Sequence, residues 1–84
     1  MDTKISFDLI FEPEKEGGYT VTVPAIPECV TYGASFEEAS GNAREAILLC
    51  LEDRHENGQA LPEEAPRAVL SSIEFSRREL LTHA

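Results

Sequence analysis

Alternation of apolar and polar residues is clearest near the N-terminus, over residues 3–12. The odd-numbered positions from Ile5 to Phe11 are all apolar, whereas the even-numbered positions are polar except for Ile10. Successive side chains of a strand point to opposite faces of a sheet, so this pattern predicts a half-buried first strand over residues 3–12.

The following segments predict two more strands. Residues 13–18 form an acidic turn that contains two glycines, and residues 19–23 alternate again. Pro24 and Pro27 lack a backbone donor and therefore end this strand. Residues 30–32 are long enough for a short third strand. Because short connections favour antiparallel pairing, the sequence predicts a three-stranded antiparallel meander.

A single long helical pattern follows the third strand. Ser35 and Glu38 have the spacing of a capping box, which predicts a helix from about Phe36 to Asn57. Gly58 can end that helix in a left-handed conformation. One stripe of this helix should pack on the apolar face of the sheet. Its members are Phe36, Ala39, Ala43, Ile47, Cys50, Leu51 and Arg54.

Leu48 and Leu49 lie outside that stripe, on the side of the helix that carries Glu45 and Glu52. They are either ordinary exposed residues or part of a subunit contact, since apolar patches on small domains often mark interfaces. An 84-residue chain has a small core. We therefore expect a homodimer or a higher oligomer, with Leu48 and Leu49 in its interface.

Residues 68–76 return to a period of two and predict a fourth strand over residues 69–75. The tail, residues 76–84, is either one helical turn or a frayed end. The predicted fold class is α+β, with the order β-β-β-α-β and one long helix on one face of the sheet. The chain is one domain, 1–84, with its core at about 3–75. The predicted core residues are Ile5, Phe7, Leu9, Phe11, Val21, Val23, Phe36, Ala43, Ile47 and Leu51.

Charge restricts the class of partner. The chain has 7 Lys and Arg against 16 Asp and Glu, a formal net charge of -9. This balance repels nucleic acid and favours a basic protein partner. The two cysteines, together with the lack of a signal-like or membrane-spanning apolar segment, predict a soluble cytoplasmic protein that does not enter a membrane.

The candidates for metal or thiol chemistry are Cys29, Cys50 and His55. Their spacing fits no common zinc signature, so no metal or cofactor is expected. Cys50 lies on the buried stripe of the helix and is interpreted as a small core residue. Cys29 is expected to pack beneath the proline-containing loop.

Residues 17–47 resemble the HicB-like antitoxin family. The pattern that carries the resemblance is Gly-Gly-Tyr, then Val-Pro-x-Ile-Pro-x-Cys-Val-Thr-x-Gly, then Ser-Phe-Glu-Glu-Ala and Asn-Ala-Arg-Glu-Ala-Ile. No single piece of it is specific, whereas the ordered series is. Two positions depart from the family pattern. Glu28 replaces a usual glycine, and Gly41 lies inside the helix, where glycine costs about 1 kcal/mol relative to alanine.

The resemblance implies a partial ribonuclease-H-like layer with the fourth strand beside the first. It also implies a function, in which the antitoxin neutralises a small basic HicA-type ribonuclease toxin by covering its RNA-binding and catalytic surface. The alternative is an orphan regulatory or ligand-binding module of the same fold, without a toxin partner. Many relatives continue into a DNA-binding segment. Residues 76–84 are too few for a recognition helix, so direct nucleic-acid binding by this chain alone is not expected.

Ribonuclease-H-like nucleases hold two Mg²⁺ ions with carboxylates, and the candidate acids for that role are Asp8, Glu12, Glu38 and Glu74. Asp8 lies opposite the predicted core face, and a solvated sheet face accounts for these acids. We therefore expect no catalytic residues and no enzyme activity. The residues expected to contact a basic toxin lie on the acidic hairpin and around the proline-containing loop: Glu12, Glu14, Glu16, Glu28 and Tyr32.

Overall fold

Three antiparallel strands and a long helix form the body of the protein, seen here in a computed structural model that describes residues 4–62, 65 and 67–83. The strands lie in the order β1-β2-β3. The elements are β1 (Ile10–Pro13), β2 (Tyr19–Thr22), β3 (Val30–Gly33), α1 (Phe36–Glu56) and a short C-terminal α2 (Arg77–His83). The α+β class and the antiparallel meander are confirmed.

The main core lies between β2 and α1. Val21, Ala39 and Ala43 are fully buried there, and Leu9, Phe11 and Tyr19 pack around them. Gly33 sets the distance between the sheet and the helix, since a Cβ atom on this residue would lie 2.2 Å from the backbone nitrogen of Ala39. Small residues on both sides of this contact therefore bring the helix close to β3.

A second buried cluster lies beneath the loop that joins β2 to β3. Val23, Ile26 and Cys29 are each at most 1% exposed, with Ile47 and Leu51 packed against them. Two backbone hydrogen bonds shape this loop, from Ile26 N to the Val23 carbonyl and from Cys29 N to the Ile26 carbonyl. The position of Cys29 is as predicted. Ile26 was missed, because the flanking prolines interrupt the periodicity by which core residues are recognised.

Both ends of α1 are formed as the sequence predicts. The Ser35 hydroxyl accepts a hydrogen bond from Glu38 N at 3.1 Å, and the Glu38 carboxylate accepts one from Ala34 N at 2.7 Å. The first bond satisfies a donor that the first helical turn leaves without a partner, and the second ties the residue before the cap to that turn. At the other end the chain leaves the helix through Gly58, whose φ is +75°.

The first strand is shorter than predicted. Only Ile10–Pro13 pair with a neighbour, and Ile10 lies opposite Thr22 at the end of β2. Beyond Thr22 the chain turns into the proline-containing loop, so within residues 4–62, 65 and 67–83 no strand is hydrogen-bonded to residues 4–9. Residue 3 lies outside the described part of the chain. The prediction that Phe36 belongs to the core is wrong, because this residue is 54% exposed. Its ring stacks on the ring of Phe11, with the two ring centroids 4.6 Å apart.

The predicted fourth strand does not form in this single chain. Residues 67–75 have no regular secondary structure, and Val69 and Leu70 are more than 90% exposed. A strand needs a neighbour for its backbone hydrogen bonds, and a period-two pattern does not supply one. The ribonuclease-H-like layer implied by the resemblance is therefore not completed. The tail forms α2, whose start is capped by a hydrogen bond from Glu79 N to the Ser76 hydroxyl.

Candidate partner-binding face

One face of the sheet is left open. Val21 and Gly33 point towards α1, and side chains alternate along a strand, so the neighbouring residues of each strand point the other way. We call this side the outer face. It consists of Ile10, Glu12, Thr20, Thr22, Val30 and Tyr32. Within the described residues, no element packs over it.

The strand register arranges the outer face in two rows across the sheet. One row runs from Ile10 through Thr22 to Val30. Its two apolar residues are exposed, Ile10 to 37% and Val30 to 58%. The other row runs from Glu12 through Thr20 to Tyr32, whose side chain is half exposed. An apolar row therefore lies next to a row that ends in a carboxylate and a phenol.

The β1–β2 turn, residues 14–18, is fastened to the second row. The Tyr32 hydroxyl donates a hydrogen bond to the Gly17 carbonyl at 3.0 Å, and the Thr20 hydroxyl donates one to the Glu14 carboxylate. A shallow cleft at this end of the sheet is lined by Glu14, Lys15, Glu16, Gly17 and Tyr32. The structure thus brings together four of the five predicted contact residues: Glu12, Glu14, Glu16 and Tyr32.

Glu28 lies apart from the other four. It belongs to the β2–β3 loop, at the opposite end of the sheet from the acidic turn. Its two carboxylate oxygens accept hydrogen bonds from Nε and Nη2 of Arg54 at 2.8 and 2.9 Å. These bonds lower the pKa of Glu28 and raise the pKa of Arg54. Glu28 therefore braces its loop against α1, and a partner contact at this residue stays a prediction.

Ile10 and Val30 belong to the outer face but were not predicted as contact residues. The sequence carried a signal for Ile10, which is the single apolar residue at an even-numbered position of the first strand pattern. Val30 and Tyr32 alternate with Thr31, but so short a strand does not show by itself which side is covered. That choice is made by the packing of Gly33 against Ala39.

Asp8 and Cys29, two other candidates for chemistry, are held by contacts within the chain. Asp8 is not a solvated carboxylate, because it forms an ion pair with Arg67 at 2.8 Å and accepts a hydrogen bond from Ala68 N. Burial is the main cause that raises the pKa of Cys29 to about 11, and a hydrogen bond with Cys50 is the second cause. The Cys29 thiol therefore stays protonated at neutral pH. The described residues contain no group of three or more His, Cys, Asp or Glu side chains arranged to hold a metal ion.

The two residues predicted for an oligomer interface lie on α1. Leu48 and Leu49 are 57% and 66% exposed on α1, and of the two only Leu48 lines the groove between this helix and the N-terminal segment. In the described parts of the chain, neither helix is both long and apolar enough to cross a membrane.

An open sheet face with exposed apolar side chains and an acidic border is typical of a small protein-binding domain. Comparison with known sequences specifies the family. The model of a family described as "HicB_like antitoxin of bacterial toxin-antitoxin system" matches residues 7–77. The chain belongs to this HicB-like antitoxin family.

Individual relatives fall into two length classes. The chain is 37% identical over 60 residues to Antitoxin HicB 1 of Photorhabdus laumondii, and 32% identical over 60 residues to Antitoxin HicB of Escherichia coli K12. Each match covers 71% of this chain but only 39% and 44% of those antitoxins. A UPF0150 protein of Thermoplasma acidophilum is 33% identical over 58 residues, which are 69% of this chain and 84% of that protein.

Proposed function

We propose that this chain is a non-catalytic antitoxin that binds a small basic HicA-type ribonuclease toxin and neutralises it by covering its RNA-binding surface. The observation that carries the proposal is the outer face, where Ile10, Val30 and Tyr32 are exposed beside an acidic turn. Membership of the HicB-like family supplies the class of partner. The names of two relatives, Antitoxin HicB and Antitoxin HicB 1, agree with it.

The physical basis of the proposed complex has two parts. Exposed apolar and aromatic side chains at the centre of a contact supply most of its affinity once water is excluded. Carboxylates around them attract a basic partner and compete with RNA for the same cationic surface. Glu12, Glu14 and Glu16 border the apolar residues of the outer face, so a single docking event would use both parts.

Co-expression with any small basic protein that an adjacent reading frame encodes is the direct test. We expect a complex in a pull-down, rescue of growth when the toxin is induced, and loss of RNA cleavage in vitro on adding the purified chain. The purified chain alone should cleave no RNA.

Two matched pairs of variants locate the contact. Val30→Lys should weaken the complex. Leu49→Lys should not, although Leu49 on α1 is at least as exposed as Val30. Reversal of Glu12, Glu14 and Glu16 to Lys should slow association much more than reversal of three exposed helix acids. The helix acids for this control are Glu45, Glu52 and Glu56. The two triple variants have the same net charge, so a difference between them reports where the toxin docks.

Two results would count against the proposal. If both triple variants slow association equally, charge acts at long range only and the outer face is not the contact. If no complex and no growth rescue appear with any adjacent small basic protein, the antitoxin function is lost. The regulatory or ligand-binding module would then be the better hypothesis.

A further inference from the structure

Residues 69–75, which we call the C-terminal arm, extend from the body of the protein, and no helix or strand among the described residues packs against them. Val69 and Leu70 are 91% and 92% exposed, Ile73 is 79% exposed and Phe75 is 58% exposed. The radius of gyration is 16.8 Å, whereas a compact chain of this length has about 12 Å. An apolar segment with a strand pattern is stable in water only when another surface covers it.

The start of the arm is fixed to the body at Asp8. The Asp8 carboxylate binds the Arg67 guanidinium at 2.8 Å and the backbone nitrogen of Ala68. A groove beside this anchor is lined on one side by residues 8–11 and on the other by residues 67–70. The chain therefore leaves Asp8 in the direction of Phe11.

A second, more apolar groove lies on the other side of Asp8. It separates the N-terminal segment from α1 and has a volume of about 330 Å³. Its lining consists of Ile5, Phe7, Leu9, Ser40, Arg44, Ile47, Leu48 and Leu51. In the described part of the chain no strand lies beside residues 4–9, so their backbone can accept one. Because the arm of the same chain runs from Asp8 towards Phe11, it leads away from this groove.

Charge indicates what kind of surface the C-terminal residues 67–84 fit. Residues 1–66 carry 14 acidic and 4 basic side chains, whereas residues 67–84 carry 2 acidic and 3 basic ones. Residues 67–84 thus carry a formal charge of +1 on a strongly negative body, and two of their three arginines, Arg77 and Arg78, lie just beyond the arm. A basic toxin would repel these two arginines, while the acidic body of another copy would attract them.

We propose that two copies of this chain exchange their C-terminal arms. The arm of one copy lies as a strand beside residues 5–9 of the other, and its apolar side chains fill the groove against α1. The exchange is reciprocal, since the same arm and the same groove occur in both copies. The fourth strand predicted from the sequence is then formed between chains. This assembly does not require a toxin.

Leu48 and Leu49 provide a matched pair of variants, because both are exposed on α1 and only Leu48 lines the groove. Ile73 and Ser72 provide a second pair, adjacent in the arm and pointing to opposite sides of a strand. By sedimentation velocity of the purified full chain, we expect a wild-type dimer. Leu48→Lys and Ile73→Lys should each raise the dimer dissociation constant by roughly 10-fold or more. Leu49→Lys and Ser72→Lys should leave it nearly unchanged.

Two further measurements distinguish exchange from an arm that folds back on its own chain. Amide hydrogen exchange of residues 69–75 should slow as protein concentration rises. In a mixture of isotope-labelled and unlabelled copies, nuclear Overhauser contacts between Ile73 and Phe7 should connect different chains. Circular dichroism of each variant should show the wild-type helix content, because all four substituted residues are exposed.

Three outcomes would overturn the proposal. The first is a wild-type chain that stays monomeric at high concentration. The second is protection of residues 69–75 that does not depend on concentration, which would mean that the arm closes within one chain. The third is a dimer that Leu49→Lys dissociates while Leu48→Lys and Ile73→Lys do not, which would place the interface elsewhere on α1.

Discussion

Glycine has two opposite roles in this small domain. At Gly33 the missing side chain allows close contact, because a Cβ atom there would meet the backbone of Ala39 at 2.2 Å. At Gly41, on the exposed side of α1, a Cβ atom would meet nothing within 4 Å. The first glycine is needed for packing, whereas the second only adds freedom to the unfolded chain.

Gly41→Ala should therefore stabilise the protein. Alanine is favoured over glycine inside a helix by ~1 kcal/mol, and here the new methyl group meets no neighbour. The free energy of unfolding from urea denaturation, followed by circular dichroism, should rise by about that amount.

Gly33→Ala is the matched control for this change, since it adds the same methyl group. It should lower the free energy of unfolding by ~1–3 kcal/mol or more, because the backbone of α1 has to move away from β3. Equal effects of the two substitutions would contradict the close contact between Gly33 and Ala39.

The long helix is held to the sheet at both ends by different means. Near its start, Ala39 packs directly on β3. Near its end, the Glu28–Arg54 ion pair links α1 to the β2–β3 loop, whose own residues Ile26 and Cys29 are buried against the helix. The bidentate geometry fixes the loop more firmly than a single exposed bond would.

This ion pair should make stability depend on pH in a defined window. The pKa of Glu28 is lowered from its ordinary value of 4.5 by the hydrogen bonds from Arg54, so the folded state favours the carboxylate. The stabilisation is therefore present above pH 4.5 and is lost as the pH falls through the lower pKa of the folded state. The urea midpoints of wild type and Glu28→Gln should differ at neutral pH and converge in acid.

Glu52→Gln, on the exposed side of α1, serves as the control for Glu28→Gln. It removes the same charge without removing the link to the loop, so its midpoint should follow the wild type closely. Arg54→Gln should behave like Glu28→Gln. If the Glu28→Gln difference persists unchanged in acid, another contact of the loop is responsible.

Considered as a whole, the molecule has an acidic body and a slightly basic tail. The net charge of -9 acts at distances where individual contacts do not. The two proposed partners use different parts of this distribution. A basic toxin is attracted to the acidic turn at one end of the sheet, while a second copy presents its arm to the groove beside residues 5–9.

Salt should slow the association with a basic toxin. The rate of toxin association should fall as ionic strength rises, because the screening length shortens, while the dissociation rate changes little. Stopped-flow or surface-binding kinetics over a series of salt concentrations measures this slope. The triple reversal of Glu12, Glu14 and Glu16 should flatten it. A slope unchanged by that reversal would contradict steering by the acidic turn.

Much of the candidate site could be predicted from the sequence because its residues belong to one hairpin. Glu12, Glu14 and Glu16 are close in the chain, and the turn between them keeps them close in space. Glu28 is also near in sequence, but an antiparallel meander places successive connections at opposite ends of the sheet. The outer face as a surface was not foreseen, since it depends on which side of the sheet the helix covers.

The sequence by itself determined the local elements: the strand patterns around the acidic turn, the Ser35 cap, the Gly58 stop and the family. These features arise from interactions between residues close along the chain. Tertiary structure alone decided the burial of Ile26, the exposure of Phe36 and the open outer face. It also decided that residues 69–75 form no strand in a single chain. Each of these depends on a neighbouring surface, and a periodic pattern specifies a face without specifying what covers it.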